Sequence, residues 1–326
     1  MTIRSTSVIV CTHNRANLLP RLIGQLRAQH YPNDEFEIIV VDNGSVDNTK
    51  QAIKQIAAEP GVPIRYISEI RPGITFARNR GARESRYPYL AYVDDDCSIG
   101  PNWLQNLMSG FDLNEHIVAV GGKVVPYWDH KERPSWLCPE LEGWLAANSY
   151  LGNQLRLLNE DERIIECNMA LDRKAWEVGG GFLGMEQFGS QHMAASEVIY
   201  LLKRLRRHGG KIAFMPEAVV YHHIGRRTRR WMLHRAHWQG VSDAVLEHFF
   251  YRRSWLSTAY HIGLNLLALL VLLVYTAAFY LREDSSKGLF NLMRAIRRIG
   301  LILGELHLVG DWGKIKKWFS EKKKEQ

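Results

Sequence analysis

The sequence predicts an α/β fold on a mostly parallel, doubly wound sheet, followed by a C-terminal membrane segment and a basic tail. Three observations predict it. Short apolar runs alternate with helix-period stretches through the first hundred residues. The runs end abruptly on polar residues (Thr12, Asp42, Ser68 and Asp94), as strands do where they enter loops. Residues 262–281 hold no charge and only one strongly polar side chain, Asn265, and the chain around them turns basic.

Taken in order, residues 7–11 form a first apolar strand that runs into Thr12-His13-Asn14-Arg15. Leu18, Leu19, Leu22, Ile23 and Leu26 then recur at helical spacing. Residues 36–41 read as a buried strand ending at Asp42-Asn43-Gly44-Ser45, with a helix from about 46 to 58 behind that turn. Residues 64–68 make a third strand, Arg71-Pro72-Gly73 breaks the chain, and residues 77–85 suit a helix. Residues 89–93 form a fourth strand that runs directly into Asp94-Asp95-Asp96. Strands that alternate with helices at this spacing pair in parallel, and ligands gather beyond their carboxyl ends. Thr12, Asp42, Ser68 and Asp94 are therefore expected around one crevice. Beyond them, 117–125 and 164–171 read as strands, 126–144 as a loop or lid carrying Trp128, Trp136 and Trp144, and 172–178 as a short helix. A helix at 196–208 and strands at 212–215 and 218–221 complete the first 225 residues.

The 326 residues are enough for one large or two small domains with real cores. The net charge of +8 is unevenly spread: residues 1–201 carry 19 Lys/Arg against 25 Asp/Glu, and residues 202–326 carry 23 against 9. Four scattered cysteines, with no CxxC and no close pair in sequence, argue against a disulfide framework or a zinc site and for a reducing compartment. The first apolar run is too short for a secretory signal, so the front part is expected not to be exported.

Twelve of residues 262–281 are Leu, Ile, Val or Phe. At roughly −0.3 to −0.6 kcal/mol each, they supply at most about −4 to −7 kcal/mol of insertion energy. The length matches a bilayer core of about 30 Å. Arg252-Arg253 place the front domain on the cytoplasmic side of a cytoplasmic membrane. Residues 289–309 are amphipathic, with Arg294, Arg297 and Arg298 opposite an apolar face, as in an interfacial helix. Two topologies stay open: one span that leaves the basic tail outside, or a re-entrant segment that returns it. Because the basic residues flank the apolar segment, anionic lipid is the expected partner and nucleic acid is not. The expected organisation is a catalytic domain at 1–225, a basic juxtamembrane segment at 226–254, a transmembrane or re-entrant helix at 255–281 and a basic amphipathic tail at 282–326.

Asp94-Asp95-Asp96 is the sharpest chemical feature. Three adjacent carboxylates repel one another unless something positive neutralises them, and a hard divalent cation would do so while holding phosphate oxygens. A solvated acidic turn is the alternative. Asp42 can accept bonds from a ribose or base, or cap the following helix. Arg78 and Asn79 can donate to an anion or line a salt-bridged face. Glu197 is a carboxylate in an apolar helix start, suited to a general base or to the helix dipole. His222 is a candidate metal ligand or a structural histidine. Arg226 and Arg227 sit in a basic run able to bind a diphosphate or lipid head groups. Residues 179–184 match GxGxxG, but they follow a helix-like stretch, which excludes a dinucleotide site.

In combination, six stretches resemble the family 2 glycosyltransferases of the membrane-anchored bacterial type. They are Ser7-Val8-Ile9-Val10-Cys11-Thr12-His13-Asn14-Arg15, Val40-Val41-Asp42-Asn43-Gly44-Ser45, Ala77-Arg78-Asn79-Arg80-Gly81, Tyr92-Val93-Asp94-Asp95-Asp96, Gly180-Gly181-Phe182 and Pro216-Glu217-Ala218-Val219-Val220-Tyr221-His222. The resemblance implies a GT-A fold and an inverting hexosyltransferase of polysaccharide biosynthesis. Its nucleotide-sugar donor would be held by Thr12, Asn14, Arg15, Asp42, Arg78, Asp94, Asp95, Arg226 and Arg227. It implies Mg²⁺ or Mn²⁺ on a DxD pair, Asp94 and Asp96, with His222 completing the set, and a glycan or lipid-linked acceptor. The family's base lies in a Glu-Asp pair before Arg204-Leu205-Arg206. Here that pair reads Glu197-Val198, so Glu197 acts alone or the base lies elsewhere, with Glu186 in reserve. A sugar-phosphate nucleotidyltransferase and an inactive membrane-anchored sugar-nucleotide-binding module are the alternative functions.

Overall fold

The computed structural model describes residues 2–128, 133–183, 197–225, 228–251, 255–282 and 284–306. The first half alternates β1 (Thr6–Thr12), α1 (Leu19–Arg27), β2 (Phe36–Asp42), α2 (Thr49–Ala57), β3 (Ile64–Ser68), α3 (Ile74–Glu84) and β4 (Tyr89–Val93). Then come β5 (Cys97–Ile99), α4 (Trp103–Ser109), β6 (Ile117–Tyr127), α5 (Pro139–Glu142), β7 (Arg156–Leu157), β8 (Asn168–Asp172), α6 (Arg173–Val178), α7 (Glu197–Arg207) and β9 (Lys211–His223). Three long helices follow: α8 (Arg229–Tyr251), α9 (Trp255–Leu281) and α10 (Ser285–Glu305). The chain divides into two units. One comprises 1–130, 145–183 and 198–224; the other comprises 131–144, 184–197 and 225–326.

The first unit is a nine-stranded sheet in the order β3-β2-β1-β4-β8-β6-β9-β5, with β7 pairing β9. Its central strands are buried on both faces, and the two-residue period of a strand divides their side chains between two cores. Val8, Val10, Ile38, Val40, Ala91 and Val93 pack with α1 and α4. Ile9, Cys11, Ile39, Val41, Leu90 and Tyr92 pack on the other face with residues of α3, α6 and α7. Each fully buried aliphatic side chain contributes roughly 1.5–3 kcal/mol. This burial holds α1 and α2, whose nine residues each are too few to persist as isolated helices.

The structure moves several expected boundaries. The helix expected from 46 starts at Thr49, because Asp47 Oδ1 accepts from the Thr49 amide at 3.0 Å and the residues before it are engaged in loop contacts. The helix expected at 77 starts at Ile74, entered through Gly73 at φ 133°. The strands expected at 212–215 and 218–221 form one, β9, with an irregularity where its pairing passes from Met215 to Val219. Pro216 has no amide to give the ladder there. Cys97 and Cys167, far apart in sequence, meet as hydrogen-bonded free thiols.

Strand β8 runs antiparallel between β4 and β6 and places Asn168 opposite Val93, the last residue before the acidic triplet. Asn168 is fully buried. Its Oδ1 accepts from Trp103 Nε1 at 2.9 Å, and its Nδ2 donates to the carbonyls of Lys123 (2.9 Å) and Ala218 (2.7 Å). This one amide ties β8, β6, β9 and α4 together. Gly122 leaves room for it, since a Cβ there would lie 2.3 Å from Asn168 Nδ2 and 2.1 Å from the Ala218 carbonyl oxygen.

In the second unit α10 packs against both α8 and α9. A Cβ at Gly240 of α8 would lie 2.0 Å from the Arg297 carbonyl oxygen, and one at Gly300 of α10 would lie 2.1 Å from that of His237, so the two backbones touch. One helix, Leu256–Leu281, is long and apolar enough to cross a membrane by length and composition.

Replacing Asn168 with Ala leaves three buried partners unsatisfied and is expected to cost about 2–4 kcal/mol. Thermal unfolding of the variant checks this; an unchanged midpoint would remove Asn168 from the account of the fold.

Candidate active site

Sheet register builds the site. Parallel pairing sets Thr12 opposite Asp42, and Asp42 opposite Ser68, so three strands end abreast, with Asp94 just beyond the neighbouring β4. The strand ends expected to gather at one edge of the sheet do so.

The loops are tied to each other by short polar side chains. Asn43 Nδ2 donates to the carbonyls of Glu69 (3.0 Å) and Arg71 (2.7 Å), and its Oδ1 accepts from the Gly73 amide (2.9 Å). Asn14, at φ 53°, gives its amide to Ser45 Oγ (2.8 Å) and accepts from the Val46 amide (2.8 Å). Asn tolerates that left-handed backbone better than most residues. Asp42 is buried; its Oδ1 accepts from the Ser45 amide and its Oδ2 from the Tyr66 hydroxyl, both at 2.9 Å. It therefore closes the 42–45 turn and does not cap α2, whose N-cap is Asn48.

Two arginines face the acidic triplet. Arg15 Nη1 lies 2.6 Å from Asp95 Oδ1 and 2.9 Å from Asp96 Oδ2, while Arg78 Nη2 lies 3.6 Å from Asp94 Oδ1. The solvated-turn reading fails for Asp95, which is 2% exposed. Burial holds its carboxyl above the usual range even against Arg15. Asp94, at the rim with 31% of its side chain exposed, is pushed up to about 6 by burial. Arg78 opposes that shift; Asp96, Glu166 and Asp95 add to it.

Antiparallel pairing of β5 with β9 sets His222 opposite Cys97, and so beside Asp96. His222 Nδ1 lies 3.2 Å from the Leu145 carbonyl, which can only accept, so Nδ1 donates there and Nε2 is the nitrogen turned toward Asp96. Nε2 lies 3.6 Å from Asp96 Oδ1, a buried oxygen with no hydrogen-bond partner. An imidazole nitrogen and a carboxylate oxygen so placed are a pair that could hold a hard divalent cation. Among the described residues no group of three or more His, Cys, Asp or Glu converges on a metal position. Two protein ligands nevertheless suit Mg²⁺-like ions, which take their remaining oxygens from water and substrate phosphates.

Asn79 neither reaches toward an anion nor lies on a salt-bridged face. Its amide pairs with the backbone of Phe182, donating to the carbonyl (2.8 Å) and accepting from the amide (2.9 Å). Gly180 and Gly181 turn there at φ 71° and 70°, and Arg204 donates to the Gly181 carbonyl. The described part of the GxGxxG match, 179–183, is thus a turn after α6 held by α3 and α7. Glu197 opens α7 and is 3% exposed. Trp136 stacks under the Arg229 guanidinium, 6.0 Å from the ring centre. Arg226, Arg227 and Glu186 lie outside the described residues. The sequence reading missed Asn43, Tyr66 and Asn168 as organisers; a buried Asn beside a turn cluster was the signal available for Asn43.

The model of glycosyl transferase family 2 matches residues 7–179, more than half of the chain, and the chain belongs to that family. The glucosyl-dolichyl phosphate glucuronosyltransferase of Haloferax volcanii is 27% identical over 246 residues, covering 74% of this chain and 77% of that protein. Glycosyltransferase AglE of the same organism is 34% identical over 128 residues, 38% of this chain and 40% of that one. Among solved structures, the mannosyltransferase PcManGT from Pyrobaculum calidifontis, in complex with GDP-Man and Mn²⁺, superposes with a TM-score of 0.62 at 19% identity. The match covers 95% of this chain and 88% of that one. That likeness shows the fold, GT-A.

Replacing Asn43 with Ala removes all three ties between the second and third loops. Amide hydrogen exchange is expected to rise about tenfold or more at residues 43–47 and 69–73, corresponding to roughly 1.5 kcal/mol of local opening, with β1 and β2 still protected. Unchanged exchange in those loops would contradict the role given to Asn43.

Proposed function

We propose that this family 2 glycosyltransferase moves a sugar from a nucleotide-sugar donor to a hydroxyl of a glycan or lipid-linked acceptor, with inversion at the anomeric carbon. The observation that carries the reading is the convergence at the strand ends: Thr12 and Asp42 abreast, the acidic triplet beside them, and His222 turned onto Asp96. The neighbour solved with GDP-Man and Mn²⁺ supports the same donor class.

Asp42 and Thr12 line the nucleoside end of the crevice. Arg78 and Arg15 carry the positive charge for the donor phosphates. Arg15, whose side chain is 44% exposed, is free to exchange a carboxylate for a phosphate oxygen. Asp96 and His222 would hold Mg²⁺ or Mn²⁺, with Asp94 nearby; bound there, the ion supplies charge to the departing diphosphate. Arg226 and Arg227 are assigned to the same diphosphate.

Glu197 is assigned the acceptor proton: it takes the hydroxyl hydrogen as oxygen attacks the anomeric carbon and the nucleoside diphosphate leaves. Its burial favours a carboxylate reserved for such use over a solvated one. Val198, where the family has a second carboxylate, favours one rival, a non-catalytic sugar-nucleotide-binding module. α9 serves as the membrane attachment that brings the enzyme to a lipid-linked or surface acceptor.

A donor screen with the purified full chain, reading release of nucleoside diphosphate with Mn²⁺ or Mg²⁺ present, tests the reading. Turnover with at least one sugar nucleotide is expected, along with its loss on chelation and recovery on adding metal back. Binding without turnover would select the non-catalytic module, and chelator-resistant turnover would remove the metal. Glu197→Gln is expected to lower kcat about 10²–10⁴-fold at unchanged donor KM. Full activity in that variant would move the base to another residue.

A further inference from the structure

Residues 255–281 have the length of a span, but their place in the second unit bears on whether they cross. α9 turns only a narrow strip inward, formed by Asn265, Leu272 and Thr276. Tyr260, Leu267, Val274 and Leu281, each seven residues from the next, lie on an opposite face with 60% or more of their surface exposed. Such a continuous apolar face is not stable against water.

α10 returns antiparallel along the inward strip for most of its length. At one end a Cβ on Gly288 would lie 2.9 Å from the Tyr280 ring, and at the other Arg298 Nη1 donates to Asn265 Oδ1. A perpendicular α9 would therefore carry α10 into the bilayer beside it. Along that stretch α10 bears Lys287, whose side chain is 53% exposed, and Arg294, which is exposed. It also bears Arg297, clasped by the α8 residue Asp243 at 2.6 and 3.0 Å. Gln239 donates to the other oxygen of Asp243 at 3.0 Å, and the backbone contacts at Gly240 and Gly300 hold α8 to α10. Crossing would put four cations and a carboxylate at membrane depth, whereas lying flat lets the exposed sides of α9 meet lipid with its inward strip still covered by α10.

We propose that α9 lies in the plane of an anionic membrane, its Tyr260–Leu267–Val274–Leu281 face among the acyl chains, and that the chain is monotopic. α10 rides above it with Lys287 and Arg294 at head-group level, where basic side chains meet anionic lipid. Both ends of α9 then lie on one side of the bilayer, and the basic C-terminal tail stays on that side. The inference does not depend on the sugar-transfer reading.

The test uses the full chain bound to mixed phosphatidylcholine–phosphatidylglycerol vesicles. Cys138 is replaced by Ser and single nitroxide-labelled cysteines are placed at 260, 267, 274 or 281; Cys11, Cys97 and Cys167 are buried. In-plane binding predicts one shared depth, about 5–10 Å below the head groups, at all four positions. A crossing helix would separate positions 260 and 274 by roughly 21 Å in depth and send 260 and 281 toward opposite surfaces, overturning the proposal. A membrane-impermeant maleimide added outside the vesicles checks the same point without a label at depth. Equal modification at 257 and 282 upholds one-sidedness, and protection of one site only refutes it. If the labels show no lipid contact at any position, the face belongs to a second copy or another protein and the proposal falls.

Discussion

The site depends on how three consecutive carboxylates are accommodated at the end of a buried strand. Asp94, Asp95 and Asp96 follow β4 into a region where burial, with the neighbouring carboxylates adding to it, pushes the carboxyls of Asp94 and Asp95 up. Arg15 supplies opposing charge from the loop after β1 and Arg78 from the buried face of α3, so the placement of that loop and that helix is a condition for the triplet. That arrangement leaves Asp96 Oδ1 buried without a hydrogen-bond partner, 3.6 Å from His222 Nε2. Two guanidinium groups thus face three carboxylates, and Asp95 Oδ2 and Asp96 Oδ1 are buried without a hydrogen-bond partner.

The same region is fixed from beneath by uncharged polar side chains. Asn168 joins four elements through one amide, Asn43 joins the loops after β2 and β3, and Asn79 pairs with the Phe182 backbone. Amides suit this use because each offers donors and an acceptor without the desolvation cost of a charge.

In the three-helix unit a different economy holds. α10 uses both of its faces, one against Gly240 of α8 and the other against α9, and its half-buried Arg297 and Arg298 are matched by Asp243 and Asn265. α9 is left with most of its circumference apolar and open. Composition alone describes α9 as a span; the helix beside it decides what depth it can reach.

Local pattern was enough for much of this. Period-two burial and abrupt polar endings placed β1 to β4 within a residue or so, and the acidic triplet, Asp42 and Thr12 stood out because strands that end in parallel must end together. The helix starts at Thr49 and Ile74 were misplaced, since loop hydrogen bonds from Asp47 and the Gly73 backbone outweigh propensity at a helix end. What the residues could not disclose is whatever depends on pairing between distant segments. β8 enters antiparallel, β5 meets β9 so that His222 reaches Asp96, Arg15 turns onto Asp95, and Arg298 finds Asn265. Sequence period determines which face of an element is buried, because that follows from backbone geometry one residue at a time. Register and partner choice belong to the tertiary structure, because they are decided by contacts among residues that the chain itself keeps far apart.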